Sequence, residues 1–172
     1  MNAGLEGKAG PVKNRTTVER KSDREVVVTR SINGPARIVF EAFTKAELLK
    51  RWWVPKSMGM NLLSCEVDAR VGGKYRLVFD VGGPEPLAFF GTYVEVKPHS
   101  RLAWTNEEGG EGGSLTTVTF EEKDGRTLVV LQESYPSKEA LDAAGTGSAD
   151  AMLETFDQLD ELLVALGESS GQ

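Results

Sequence analysis

Between residues 62 and about 135 the chain reads as six strand-like segments in succession, with no helical pattern between them. They are "LLSCEVD", "GGKYRLVFD", "LAFFGTYVEVKP", "RLAWTN", "SLTTVTFEEK" and "RTLVVLQESY". Alternation puts Tyr75, Leu77 and Phe79 on one face of the second segment. "GGPEP" is a turn, Asp124-Gly125 is a hairpin signal, and "EEGGEGG" at 107–113 reads as a flexible hairpin loop. Connections this short join antiparallel neighbours, because parallel strands need a long crossover. The result is an antiparallel meander with one apolar face, and that face must be covered. One element is long enough to do it. In "SADAMLETFDQLDELLVAL", Met152, Phe156, Leu159, Leu163 and Leu166 recur at steps of four and three, giving an amphipathic helix over about 148–166 that Gly167 is expected to stop.

The segment before the meander adds a first strand, "REVVVTRSI", and then a breaker, "NGP" at 33–35. Pro35 suits the first turn of a helix. Ile38, Val39, Ala42 and Phe43 keep helical spacing, and Thr44 with Glu47 forms a capping-box pair for a second short helix. That helix carries Leu48, Leu49, Trp52 and Trp53 and ends at Pro55. The order is strand, two short helices, six strands, long helix: an α+β arrangement of about seven strands with one helix lying across the sheet. Residues 1–22 read as a mobile tail with room for extended backbone at its end, 23–167 as a single domain and 168–172 as a C-terminal tail.

The net charge of −6 argues against a nucleic-acid partner and against docking on anionic lipid, both of which require a basic face. No apolar run approaches the length that spans a bilayer, and the start lacks the apolar stretch of a secretory signal. With one cysteine, Cys65, there is no internal disulfide, which fits a reducing compartment; the expectation is a cytoplasmic protein. A homodimer through a strand edge or aromatic surface is left open.

Little in the sequence points to catalysis. His99, the single histidine, lies in the turn "KPHSR"; with one His and one Cys, no zinc site of the usual kind and no Cys–His dyad can be assembled, and no cofactor is expected. Cys65 reads as a small apolar strand residue. "VGGKY" leads into a strand and lacks the Ser or Thr of a phosphate loop. Gln132 and Glu133 fall on opposite strand faces, so one of them points inward, and a buried carboxyl there would serve as an acid or base. Arg76 and Glu66 are weaker strand candidates of the same kind. The aromatic residues carry more. Trp53, Phe79, Phe90, Trp104, Phe120 and Phe156, with Met152, are expected to converge between sheet and helix. A filled core and a ligand cavity demand the same residue types. Of the adjacent tryptophans, Trp53 is expected to be the inner one and Trp52 the partly exposed one.

These pieces resemble a known family. "SDREVVVTRSINGPARIVFEAFTKAELLKRWWVPK", "VDARVGGKYRLVF", "GTYVEVKPHSRLAWT", "TTVTFEEKDGRTLVVLQESYPSKEALDAA" and "LETFDQLDELL" are similar to the SRPBCC superfamily of START-like and birch-pollen-allergen-like helix-grip proteins. Within it they look like the group related to the C-terminal domain of the activator of heat-shock protein 90 ATPase. The resemblance covers about residues 15–166. It implies a curved antiparallel sheet gripping a long C-terminal helix. It also implies a small hydrophobic or amphipathic ligand in the space between them, a cyclase-like activity, or a chaperone partner. Where many members have Gly-Trp or Gly-Met near the start of the last helix, this chain has Ala151-Met152, which alters packing or cavity volume there.

Overall fold

The computed structural model describes residues 16–59, 61–107, 113–144 and 147–170. Eight strands form one antiparallel sheet: β1 (Thr17–Arg20), β2 (Glu25–Ile32), β3 (Asn61–Val67), β4 (Lys74–Asp80), β5 (Leu87–Lys97), β6 (Arg101–Thr105), β7 (Leu115–Lys123) and β8 (Arg126–Ser134). Their spatial order is β1-β2-β8-β7-β6-β5-β4-β3. The six-strand meander is therefore contiguous, and β2 joins its far end by pairing with β8. Helices α1 (Ala36–Thr44) and α2 (Ala46–Leu49) carry the chain from β2 to β3 at the opposite edge; α3 (Lys138–Ala144) and α4 (Gly147–Ser170) follow β8. The long helix, the two short helices and the curved meander make this an α+β helix-grip fold.

Local chemistry sets the turns. Asp124 and Gly125 both have positive φ (55° and 77°), as the tight β7–β8 hairpin requires. Gly91 meets a different demand. A Cβ there would collide with the Thr105 carbonyl oxygen and press on the Tyr75 ring, so only glycine lets β5 approach so closely. Two residues on, the β5–β6 register shifts between Tyr93 and Glu95, and β3–β4 shifts between Leu62 and Ser64. Such irregularities bend strands and deepen the concave face.

Alternation assigns the inner face cleanly. Tyr75, Leu77 and Phe79 of β4, Thr116, Val118 and Phe120 of β7, and Val129, Leu131 and Glu133 of β8 are all buried. From α4, Met152, Phe156, Leu159 and Leu163 press down on this face, as their spacing predicts. Two polar clamps fix the helix. Arg30, 4% exposed on β2, donates from Nη1 to Asp157 Oδ1 at 2.7 Å and from Nη2 to Asp160 Oδ2 at 2.6 Å. Gln158 holds the segment after α2: its Nε2 donates to the carbonyls of Trp52 (3.0 Å) and Val54 (2.9 Å), and its Oε1 accepts from the Lys56 N–H at 2.8 Å.

The structure departs from the sequence reading at several points. Thr17–Arg20, in the part of residues 1–22 given room for extended backbone, pair with β2 and bring the strand count from about seven to eight. Thr44 does not cap α2. It is the last residue of α1, where its hydroxyl donates back to the Phe40 carbonyl at 2.9 Å, and extended Lys45 occupies the cap position. Helix α4 continues through Gly167 to Ser170. Helix α3 was not anticipated; its first turn is held by Ser137 Oγ accepting from the Ala140 N–H at 3.0 Å. The tryptophan assignment is reversed: Trp52 is fully buried, with Nε1 donating to the Ala42 carbonyl at 2.9 Å, whereas Trp53 is half-buried. The two rings touch edge to face at 5.2 Å, and the inner place goes to the indole whose N–H finds a buried carbonyl. The loop reading at 107–113 falls mostly on residues 108–112, outside the described residues.

Candidate functional site: a cavity beneath the C-terminal helix

A cavity of about 440 Å³ lies between α4 and the concave sheet. Leu77 and Phe79 of β4, Phe89 and Tyr93 of β5, Trp104 of β6 and Leu131 of β8 line the sheet side. Ala151, Met152 and Thr155 of α4 line the helix side; Phe43, Leu49, Trp53 and Val54 close one wall. The aromatic walls brace one another. The Trp53 and Trp104 rings meet edge to face at 6.2 Å, and Trp104 contacts both Tyr75 (6.3 Å) and Tyr93 (6.1 Å).

On the sheet side the apolar lining is interrupted by a polar strip. Asn106, just past β6, donates from Nδ2 to Ser114 Oγ and Thr116 Oγ1, both at 2.9 Å, while its Oδ1 accepts from the Tyr75 hydroxyl at 2.9 Å. Thr116 pairs across the sheet with Glu133. The Glu133 carboxyl in turn accepts from the Tyr135 hydroxyl at 3.2 Å. Glu133 is 8% exposed, and Glu133, Tyr135, Asn106, Ser114 and Thr116 all border the cavity. Burial and the neighbouring Glu133 carboxyl push the Tyr135 hydroxyl up to about 12, so it remains a donor at neutral pH. Burial, with smaller contributions from Cys65 and Asp68, also raises Tyr93.

Of the residues singled out from the sequence, Trp53, Phe79, Trp104 and Met152 line the cavity, and so does Glu133. Phe120 and Phe156 do not. Phe120 lies on the inner face but packs edge-on against Phe40 and Phe43 under α1, and Phe156 sits against Trp52 in the filled part of the core. Phe90 belongs to the other side of the sheet. Register pairs it with Arg76, and Arg76 with Glu66, so all three face away from the cavity, opposite to the inward row Cys65–Leu77–Phe89. This removes Arg76 and Glu66 as site candidates, since both are exposed on the outer face. Gln132 is also outward, with its amide donating to Glu25 Oε2 at 2.9 Å. His99 is exposed in a turn at φ 68°. Cys65 is half-buried against the Ala46 carbonyl, and burial raises its thiol. Sequence reasoning did not single out the Asn106 strip, Tyr93 or Tyr135. Asn106 follows an inward Trp104 by two residues, and that parity is the signal that would have found it.

Among the described residues no cluster of three or more His, Cys, Asp or Glu is placed to hold a metal ion, and no helix is long and apolar enough to cross a membrane.

Comparison with known proteins places this geometry in a family. A search of curated proteins finds no match. Among solved structures, a protein from Rhodobacter sphaeroides superposes with a TM-score of 0.78 at 22% identity, covering 88% of this chain and 99% of that one. A Mycobacterium smegmatis protein gives 0.73 at 23% identity over 88% and 99% of the two chains. A Chromobacterium violaceum protein gives 0.67 at 28% identity over 83% and 98%. These likenesses establish the shared fold. The family model described as activator of Hsp90 ATPase homolog 1-like protein matches residues 33–164, from the turn before α1 to the last turns of α4. With three quarters of its length matched by that model, the chain belongs to the activator of Hsp90 ATPase homolog 1-like family, within the SRPBCC helix-grip superfamily.

Proposed function

We propose that the protein binds a small hydrophobic or amphipathic molecule between α4 and the sheet. The observation that carries this reading is the cavity itself: about 440 Å³, walled by aromatic and aliphatic side chains, with a polar strip on the sheet and Thr155 opposite it on α4. Burial of apolar ligand surface, at roughly 25 cal/mol per Å², would supply the affinity. The strip would supply orientation. Asn106 spends its amide hydrogens on Ser114 and Thr116, which leaves each hydroxyl its own proton to donate to a ligand. Native mass spectrometry of protein equilibrated with a panel of amphiphiles tests the reading. The expected result is a one-to-one adduct that disappears when Ala151→Phe fills the roof; no adduct with any member of the panel would count against it.

A second reading rests on Glu133 and Tyr135. A carboxyl within 3.2 Å of a phenol, at the wall of a mainly apolar space, is an arrangement able to move a proton to or from a bound molecule. Cyclase-type turnover that survives Glu133→Gln unchanged would remove it. The family description also raises a chaperone-ATPase partner; a pull-down and an ATPase stimulation assay address that reading independently of the cavity.

A further inference from the structure

A second, smaller space of about 200 Å³ adjoins the cavity and shares four of its wall residues, Trp53, Val54, Leu77 and Phe79. Its remaining lining differs in character, because it includes Lys50, Arg51 and Lys56. All three side chains are exposed, and none forms an ion pair among the described residues. The stretch 48–65 carries these three cations and no Asp or Glu, in a chain whose net charge is −6; from α4, Glu154 reaches it, but its carboxylate is taken up by the Ser57 N–H (3.0 Å) and hydroxyl (2.6 Å). Lys56 is fastened through its backbone N–H, by Gln158 Oε1 at 2.8 Å, and its exposed side chain borders this space. Asp80, opposite Asn61 in the β3–β4 register, has its Oδ1 engaged by the Gly82 N–H at 2.9 Å.

At the other side of the main cavity stands Glu133 on β8, separated from β4 by β7, β6 and β5 in the sheet. The site is thus polarised: a carboxyl at one end, and three cations on the far side of the Trp53–Phe79 wall. Building on the binding reading above, we propose that the ligand is an amphipathic anion whose acidic head lies at Lys50, Arg51 and Lys56. Its apolar chain passes Trp53 and Phe79 into the cavity. The Glu133 end disfavours the reverse orientation and leaves room there for a hydroxyl or other neutral polar group.

The test is displacement of Nile red, an uncharged dye, by decanoate, decanol and decyltrimethylammonium, which share one chain length and differ in head charge. Decanoate is expected to displace the dye about tenfold more strongly than decanol, the scale of a few solvent-exposed charge contacts, with the ammonium weakest. The preference should fall to about onefold in the triple variant Lys50→Ser, Arg51→Ser, Lys56→Ser, and shrink between about 0.05 M and about 0.5 M salt. A control removing the remote cations Lys21, Lys97 and Lys123 should retain it. Equal displacement by decanoate and decanol, or a preference that survives the triple variant, would overturn the inference while leaving the cavity reading intact. Failure of Nile red and of all three amphiphiles to bind would overturn both.

Discussion

Gln158 on α4 and Trp52 after α2 are joined through a buried hydrogen bond of 3.0 Å, in which the glutamine amide donates to the tryptophan carbonyl. The same side chain reaches the Val54 carbonyl and the Lys56 N–H. One residue therefore satisfies three backbone groups of a segment that has left the helix and has no sheet partner. That segment presents Trp53 to the cavity, so the position of the wall depends on a helix residue 105 positions later.

Gln158→Ala should be costly for this reason. It leaves two carbonyls and one N–H without their partner in a place water reaches poorly, and a loss of about 2–4 kcal/mol is expected in chemical denaturation. Gln158→Glu should be worse, because a carboxylate would face the Trp52 and Val54 carbonyls. Equal stability of the wild type and Gln158→Ala would show that the clamp is not needed.

Arg30 makes a parallel case on the other side of α4. Its two ion-pair partners differ in setting: Asp160 is 14% exposed and Asp157 51%. Asp160 also accepts from the Asn33 N–H at 3.0 Å. Asp160→Asn is therefore expected to destabilise more than Asp157→Asn, whose contact is screened by water. Arg30→Ala should cost the most, about 3–5 kcal/mol, since it leaves the largely buried Asp160 carboxylate without its cation and also removes the Asp157 contact. The three variants compared in one urea series decide the order.

Gly91→Ala would place a methyl group against the Thr105 carbonyl and the Tyr75 ring. The Thr105 carbonyl is backbone of β6 and cannot yield without opening the β5–β6 pairing, and the buried Tyr75 ring has little room to move. A loss of more than about 2 kcal/mol is expected, well beyond the few tenths by which an exposed strand glycine and alanine differ. Hydrogen exchange should localise the damage to β5 and β6.

The pH dependence follows from Tyr135. Its folded value, about 12, lies above the ordinary value of 10.0, so the stabilisation linked to its proton is complete below pH 10 and is lost as pH rises towards 12. Tyr93 adds to the loss in the same direction. An absorbance titration of the phenols should show Tyr93 and Tyr135 ionising late, and Tyr135→Phe should remove one of those steps. A Tyr135 that ionises near pH 10 would mean that neither its burial nor its Glu133 contact holds in solution.

The sequence made the architecture legible because its periodicities switch cleanly: period two through the meander, then period 3.6 in α4. It did not resolve which member of an adjacent pair turns inward. Phe89 and Phe90, Gln132 and Glu133, and Trp52 and Trp53 are each equivalent by composition. What separates them is register and partner: Phe89 is locked to Leu77, and Trp52 is locked to the Ala42 carbonyl. The void was illegible for a related reason. Phe120 and Phe156 are as aromatic as Trp104, yet they pack where α1 and Trp52 fill the space, whereas Trp104 borders the cavity. Whether a core is full depends on how far the sheet bends, and the register shifts at Tyr93/Glu95 and Leu62/Ser64 leave no mark in hydropathy.

The three tryptophans provide the most direct test of a ligand beneath α4. Their indole N–H groups give separate signals in a nitrogen–proton correlation spectrum. Trp53 and Trp104 border the cavity, while the Trp52 N–H is tied to Ala42 in the filled core. Titration with decanoate should shift the Trp53 and Trp104 indole signals saturably and leave Trp52 the least affected. Shifts confined to backbone amides of the outer sheet face, with both cavity tryptophans unmoved at saturation, would contradict the account.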